Sequence, residues 1–278
     1  NAVTLMSNLT SSRVVRAIPT MLRVGFSEAI AYRAEMIIWV LATTMPLIML
    51  VVWTAVASVS PVQSGRTWTT TAFMAYFLSV FVVRQLVSAW ACWEINYEVR
   101  QGVLSTRLLR PIHPVISYMA QNVAFVPLRV AVTLPIVALI YFSDARTFLS
   151  HSSSTWLIWP LTMLGAWFIT FFINILIGAL SFFLESSIKL MDVWFSLFFV
   201  FSGYLYPLDL FPPWLRTATE WLPFRYQIAL PVDLIMGTYD ATTVVPLLAR
   251  QWAWAFGLMA LSLWVWRVGV RRFQAYGG

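Results

Sequence analysis

The chain has 278 residues, 60% of them hydrophobic and only 10% charged, with a mean hydropathy of +0.77 and a formal net charge of +7. Soluble domains run at about 45–50% apolar and about 25% charged, so a water-soluble globular domain is excluded and an all-α integral membrane protein is expected. The single cysteine, Cys92, cannot form an internal disulfide, and a chain of this length with no long polar stretch leaves room for little beyond one transmembrane domain.

Residues 1–35 read as a tail followed by an amphipathic helix. Val14, Val15, Ile18, Leu22, Phe26 and Ile30 recur at three to four positions, with Arg13, Arg16, Arg23 and Glu28 between them. That period and its basic face suit a helix lying in the membrane interface, with Pro19 in its first turn. An extension of the first span into the cytosol is the alternative. The first residues are polar and no short apolar core follows the basic ones, so no cleavable signal peptide is expected.

A hydrocarbon layer about 30 Å thick takes roughly 20 apolar residues per helix. Six runs make 36–278 a single six-span domain: Met36–Ser58, Trp68–Trp93, Ile116–Phe142, Trp156–Leu184, the shorter Leu190–Tyr206, and Val244–Trp266. Six spans put both termini on one side. Positive residues near span ends favour the cytoplasm. With the termini inside, that face holds Arg13, Arg16, Arg23, Arg33, Arg100, Arg107, Arg110, Lys189, Arg267, Arg271 and Arg272, against Arg66, Arg146, Arg216, Arg225 and Arg250 opposite. The expected setting is the cytoplasmic (inner) membrane with both termini cytoplasmic.

The second span carries Arg84 and the third Arg129, at similar depths. An ionised side chain there costs about 2.5–3.5 kcal/mol on an insertion scale and faces protein, a partner charge or water. Two readings stand: contact with an anionic substrate or head group along a pathway, or snorkelling and pairing with a neighbouring helix.

Between these spans, the loop 94–114 includes "GVLSTRLLRPIHP", from Gly102 to Pro114. Ser105 is the expected N-cap of a short helix over Thr106–Leu109, stopped by Pro111. Gly102 separates it from Glu94 and Glu98, four apart on one helical face. On charge alone an ordinary solvated loop fits equally well.

In the fourth span, Asn174, Gly165 and Gly178 read as helix-packing residues, and Trp156 and Trp159 as an aromatic belt. His113 and His151 lie isolated in loops, which argues against a metal site. Past the fifth span, "SGYLYPLDLFPPWLRTATEWLPFRYQIALPVDLIMG" covers 202–237. Pro207, Pro212, Pro213, Pro223 and Pro231 forbid a continuous helix there, while Trp214, Trp221, Phe224 and Tyr226 keep the stretch membrane-seeking. Short broken helices re-entering from the outer face are expected, covered by protein or lining a wet cavity.

No catalytic site is expected. The only lysine, Lys189, lies in "SSIKLMD", so the glycine-rich phosphate loop ending in Gly-Lys-Ser/Thr is missing. Both histidines sit in loops and Gly178-Ala-Leu-Ser181 lacks the spacing of an intramembrane serine nucleophile. A stand-alone secondary transporter or channel is the main rival class. It is disfavoured because Glu35, Glu94, Glu98, Glu185, Asp192, Asp209, Glu220 and Asp233 gather at span ends and loops rather than forming a relay within the spans.

The pattern Ser202-Gly203, Pro207, Pro212-Pro213-Trp214-Leu215, Leu222-Pro223-Phe224 and Tyr226 resembles the fifth-to-sixth-span signature of type 2 ABC exporter permeases, the ABC-2 family. The loop after span two resembles the branch with a glycine followed by an "LLRP" run. The resemblance implies that this loop is a coupling helix docked on an ATP-binding subunit, with Glu98, Gly102, Leu104, Arg107, Leu108, Leu109 and Arg110 at the interface. Arg84 and Arg129, by their place within the spans and not by the resemblance, are the possible substrate-pathway residues. An outer gate would fall at Pro207, Pro212, Trp214, Pro223, Phe224 and Tyr226. The implied partners are two ATP-binding subunits, a second permease that is an identical or a related chain, and membrane lipids, with no nucleic acid. ATP and magnesium would belong to the ATP-binding partner, and this chain would hold no cofactor.

Overall fold

The computed structural model describes residues 19–27, 43–64, 66–239 and 241–273. Helix α1 (Met45–Val59) has Pro46 in its first turn, where a missing N–H costs nothing, and leads into an antiparallel hairpin of β1 (Val62–Ser64) and β2 (Arg66–Trp68). Helix α2 (Thr70–Val87) is capped by the Thr69 side chain, which accepts from the Ala72 N–H at 3.2 Å. Three non-helical residues, Ser88 to Trp90, separate it from α3 (Ala91–Arg100). A five-residue helix α4 (Leu104–Leu108) follows, then α5 (Pro114–Ala124), whose cap is His113, and α6 (Val126–Phe142). Helix α7 (Ser153–Ala179) runs into a 3₁₀ turn over Leu180–Phe182. Helix α8 (Ile188–Phe201), the short α9 (Pro213–Thr219) and α10 (Ala229–Ile235), and the 30-residue α11 (Ala241–Val270) complete the order.

Among the described residues, four stretches are long and apolar enough to cross a membrane: Thr70–Arg100, Pro114–Phe142, Ser153–Phe182 and Thr242–Val270. Of their apolar windows 78% and 72% are buried in the first and third but only 22% and 33% in the second and fourth, so α2–α3 and α7 are the central helices. One apolar cluster joins α3, α7 and α11, with Gly165 against the Gln251 side chain. A second joins the hairpin, α2 and α10, where Trp68 stacks on Phe73 and meets Tyr76 edge-on, and Tyr76 meets Phe77 edge-on.

Several expectations are corrected. The first expected span falls partly on residues 36–42, outside the described residues; what is described, α1, has 15 residues, about 22 Å at 1.5 Å per residue. The fifth stops at Phe201, not Tyr206, because the chain turns at Ser202-Gly203, where Gly203 has φ +86°. The second is interrupted before Trp93 by Ser88–Trp90. In the loop, the short helix starts at Leu104, not Thr106, and Ser105 does not cap it; its hydroxyl donates back to the Gly102 carbonyl at 2.8 Å. Of the amphipathic segment 14–30, residues 14–18 and 28–30 lie outside the described residues, while 19–27 are helical with Gly25 close against Ala124 of α5.

The helices run between two ends of a bundle. At one end Arg100 donates to the Leu184 carbonyl, Asn96 reaches the Ser187 hydroxyl at 2.9 Å, and Phe182 packs on Trp266 and Phe273. The loop 101–113 sits there with Arg100, Arg107, Arg110, Lys189, Arg267, Arg271 and Arg272. At the other end the hairpin meets the broken segment, and the Ser150 N–H donates to the Ile235 carbonyl at 2.6 Å.

Candidate functional site

At the arginine-rich end, α3 closes the Thr70–Arg100 stretch and presents Glu94 and Glu98 on one face. Arg107 of α4 closes on both: Nη2 donates to Glu94 Oε1 at 2.7 Å and to Glu98 Oε1, while Nη1 donates to Gln121 Oε1 at 3.3 Å. Tyr118 of α5 donates its hydroxyl to Glu98 Oε2 at 2.6 Å and lays its ring 4.3 Å from the Arg107 guanidinium. Burial works against the Arg107 charge, but the Tyr118 phenol and the Glu94 and Glu98 carboxylates outweigh it and hold the guanidinium above its ordinary range. Gly102, at φ +71°, makes the left-handed turn that brings α4 back onto α3.

The loop is therefore two-faced. Leu104 is fully buried in the chain's own core, Leu108 packs at its edge, and Glu98 and Arg107 are tied to each other. Val103 at 45% and Leu109 at 86% exposure, with exposed Arg110, face outward. Glu94, Tyr118 and Gln121 complete the cluster and were not singled out as Arg107 partners from sequence. The signal available was the glutamate pair four apart beside an arginine-bearing loop.

At the hairpin end a chain of ion pairs stitches the broken segment together. Arg66 of β2 reaches Asp209 at 3.3 Å and Asp233 at 3.7 Å, and donates to Thr238 Oγ1 at 3.1 Å. Arg216 pairs with Asp209 at 3.0 Å, and Arg250 of α11 with Glu220 at 2.9 Å. Arg225 lies 3.7 Å from Glu220 and donates to the Tyr239 hydroxyl. Burial pushes the Asp233 carboxyl up to about 6 against the opposing pull of Arg66. Pro207, Pro223, Phe224 and Tyr226 are buried, Phe224 with its ring 4.5 Å from Trp194 of α8, whereas Pro212 and Trp214 are exposed. At Gly203 a Cβ would lie 2.7 Å from the Tyr76 hydroxyl, which donates to the Gly203 carbonyl at 2.7 Å. Only glycine combines that contact with the positive φ.

Between the two ends lies the break in the central helix. Unwound backbone at membrane depth must find partners inside the protein. Here three neighbouring helices supply them. Arg129 of α6 donates Nη1 to the Ser88 carbonyl and stacks 4.7 Å from the Trp90 ring. The Trp90 N–H donates to Asn122 Oδ1 at 3.2 Å, and the Cys92 N–H to Asn174 Oδ1 at 3.3 Å. Asn174 is therefore more than a packing residue. A small cavity opens beside the break, lined by Arg84, Ala89, Thr170, Asn174, Phe198 and Gln227 among others, with room for about one water in this conformation. Arg84 and Arg129 are thus brought to the same region, each on its own helix.

The order of long apolar helices, a two-faced loop after the central one and an ion-paired broken segment before the last frames the comparison with known proteins. The profile of the family described as ABC-2 family transporter protein matches residues 40–277. The chain belongs to the ABC-2 transporter family. It is thereby a multi-pass permease component of an ABC transporter, a class that works with an ATP-binding subunit. No curated protein matches the sequence.

Proposed function

We propose that this permease is the six-span half of an ATP-driven exporter in the cytoplasmic (inner) membrane, with both termini cytoplasmic. On this reading α1, continued by the residues before it, and α8 supply the two spans beyond the four long ones. Two such permeases, identical or related, form the route, and two ATP-binding subunits holding ATP and magnesium drive it. This chain itself carries out no hydrolysis. The segment 202–237 re-enters from the outer face and gates the pathway there.

The observation that carries the reading is the division of the 101–113 loop. Its inner face is fixed to α3 by Arg107, Glu94 and Glu98, and its outer face offers Val103, Leu109 and Arg110. On that outer face Leu109, 86% exposed, stands beside the exposed Arg110. A small apolar knob with a charge at its rim is what a docking groove on a partner recognises. Because the loop is clamped to α3, a push on it reaches the break in the central helix about 15 Å away, through ten residues at 1.5 Å each.

The test is co-purification of the full chain from its native membrane, with an ATPase assay and identification of every partner by mass spectrometry. An ATP-binding subunit that is retained by wild type and lost in Leu109→Glu/Arg110→Glu supports the reading. A single-chain species without ATPase activity, or a partner indifferent to both changes, overturns it.

A further inference from the structure

Arg84 is the fifteenth residue of the 31-residue stretch Thr70–Arg100, and Arg129 the sixteenth of the 29-residue stretch Pro114–Phe142, so both sit at the midpoints of their helices. Arg129 reaches the Ser88 carbonyl at the break, and Arg84 lines the cavity beside Ala89 of the same break. Neither has a carboxylate within ion-pair distance among the described residues; every ion pair there lies towards one end of the bundle or the other. Arg129 spends one N–H on the Ser88 carbonyl, and Arg84 rests on the Phe198 ring at 5.4 Å.

Around these cations, three buried side-chain nitrogens lack a partner: Arg84 Nε, Arg129 Nη2 and Gln227 Nε2. All three are donors. The Gln227 oxygen meets the Thr170 hydroxyl at 3.0 Å and shares its one proton with the Ala166 carbonyl. The break adds a fourth positive element, the N-terminal end of α3, whose Cys92 N–H is held by the cavity residue Asn174. A membrane interior that gathers two cations, free donors and a helix N-terminus, with no acid to balance them, is built for a negative charge that the chain does not itself provide.

We infer that the cavity at the α2–α3 break is a binding site for an oxyanion, the phosphate or equivalent head group of the transported molecule, with Arg84 and Gln227 contacting it and Arg129 positioning the break. The apolar walls, Phe198 with Trp194, Phe195 and Met191, suit an attached hydrocarbon tail. As a statement about cargo this rests on the transport reading above; as a statement about binding it does not. The cavity admits the head group only when its walls move, and the lining residues Met191, Trp194, Phe195 and Phe198 all belong to the 14-residue helix α8.

The experiment is equilibrium binding of radiolabelled dodecyl phosphate to the full chain in nanodiscs of phosphatidylcholine, without ATP or partner. Saturable binding is expected, weakened roughly ten- to hundred-fold in Arg84→Gln, as for loss of a hydrogen bond to a charged group, and less in Arg84→Lys. Gln227→Glu supplies the missing acid from within. It should weaken binding comparably while raising the melting temperature, so the inference stays testable if Arg84→Gln does not fold. Inorganic phosphate competing at similar concentration identifies a soluble anion as the source; competition only by tailed phosphates identifies a lipid-like one. No saturable binding, or the same affinity in Arg84→Gln and Gln227→Glu as in wild type, overturns the inference. Either result leaves partner docking at Leu109 and Arg110 untouched, and loss of docking leaves this binding untouched.

Discussion

Arg107 and Arg110 lie three residues apart in one loop, yet replacing each by alanine should have opposite consequences. The Arg107 side chain is 12% exposed and that of Glu98 9%, with Glu94 at 24%. Arg107→Ala leaves Glu98 nearly buried, supported only by the Tyr118 hydroxyl and facing Glu94 on the same helical face. Breaking a buried pair costs about 3–5 kcal/mol and an exposed one about 0–1. With Glu98 near the first limit and Glu94 between them, the expected loss is about 3 kcal/mol. At roughly 2–4 °C per kcal/mol for a chain of this size class, the melting temperature of the full chain in detergent should fall by roughly 6–12 °C. Arg110 is exposed and makes no ion pair among the described residues, so Arg110→Ala should stay within about 0.5 kcal/mol of wild type. The second change should instead reduce substrate-stimulated ATPase activity in the assembled transporter. The double variant Arg107→Ala/Glu98→Gln removes the stranded charge and should recover part of the loss. A melting curve for Arg107→Ala within about 1 °C of wild type, or an Arg110→Ala curve that falls as far, would refute the two-faced loop.

Gly203→Ala combines a left-handed backbone with a Cβ 2.7 Å from the Tyr76 hydroxyl, and should cost more than the roughly 1–2 kcal/mol of the backbone alone. Tyr76→Phe should cost about 1–3 kcal/mol by stranding the Gly203 carbonyl, both read as melting temperature; a neutral Gly203→Ala would mean the turn is not as described. For Asp233, the unfolded carboxyl titrates near 4 and the folded one at about 6. Between these values the folded chain holds a proton that the unfolded chain has lost, so this group's contribution to stability declines as pH rises through that window. Asp233→Asn should therefore gain on wild type in melting temperature from about pH 4 to pH 6.5, and a gap that is flat or runs the other way would show that Arg66 dominates. Asn174→Leu strands the Cys92 N–H at the helix break and should cost about 1–3 kcal/mol, with faster amide exchange at Trp90–Trp93 than elsewhere in α3; unchanged exchange there counts against Asn174 as the holder of the break.

Hydropathy made the long helices legible because a run of some 20 apolar residues has few ways to be anything else. The limits came where structure depends on other parts of the chain. Proline and glycine announce the broken segment 202–237, since each acts on its own backbone. Its ion pairs, Arg66 to Asp209 across about half the chain, announce nothing locally. The residues of the loop cluster were visible, and which of them face inward was not. In sequence Leu104 and Leu109 look alike; in the fold one is fully buried and the other 86% exposed, because Gly102 and the Arg107 clamp set the roll of a five-residue helix.

The break at Ser88–Trp90 is the strongest case, for it contains neither proline nor glycine. What unwinds the central helix is a set of alternatives offered from elsewhere: Asn122 takes the Trp90 N–H, Asn174 takes the Cys92 N–H, and Arg129 gives to the Ser88 carbonyl. Each of these polar residues, read alone on its own apolar helix, looks like a packing residue or a snorkelling cation. Together they offset the lost helical bonds of a fourth helix, and that is a reason for three polar side chains to persist in hydrocarbon. The break in turn leaves the central helix in two pieces, with the loop clamp on the second and Arg84 on the first. On the coupling role proposed above, a displacement of the loop is taken up where the pieces meet, at the cavity that Arg84 and Gln227 line, rather than being spread along a continuous rod.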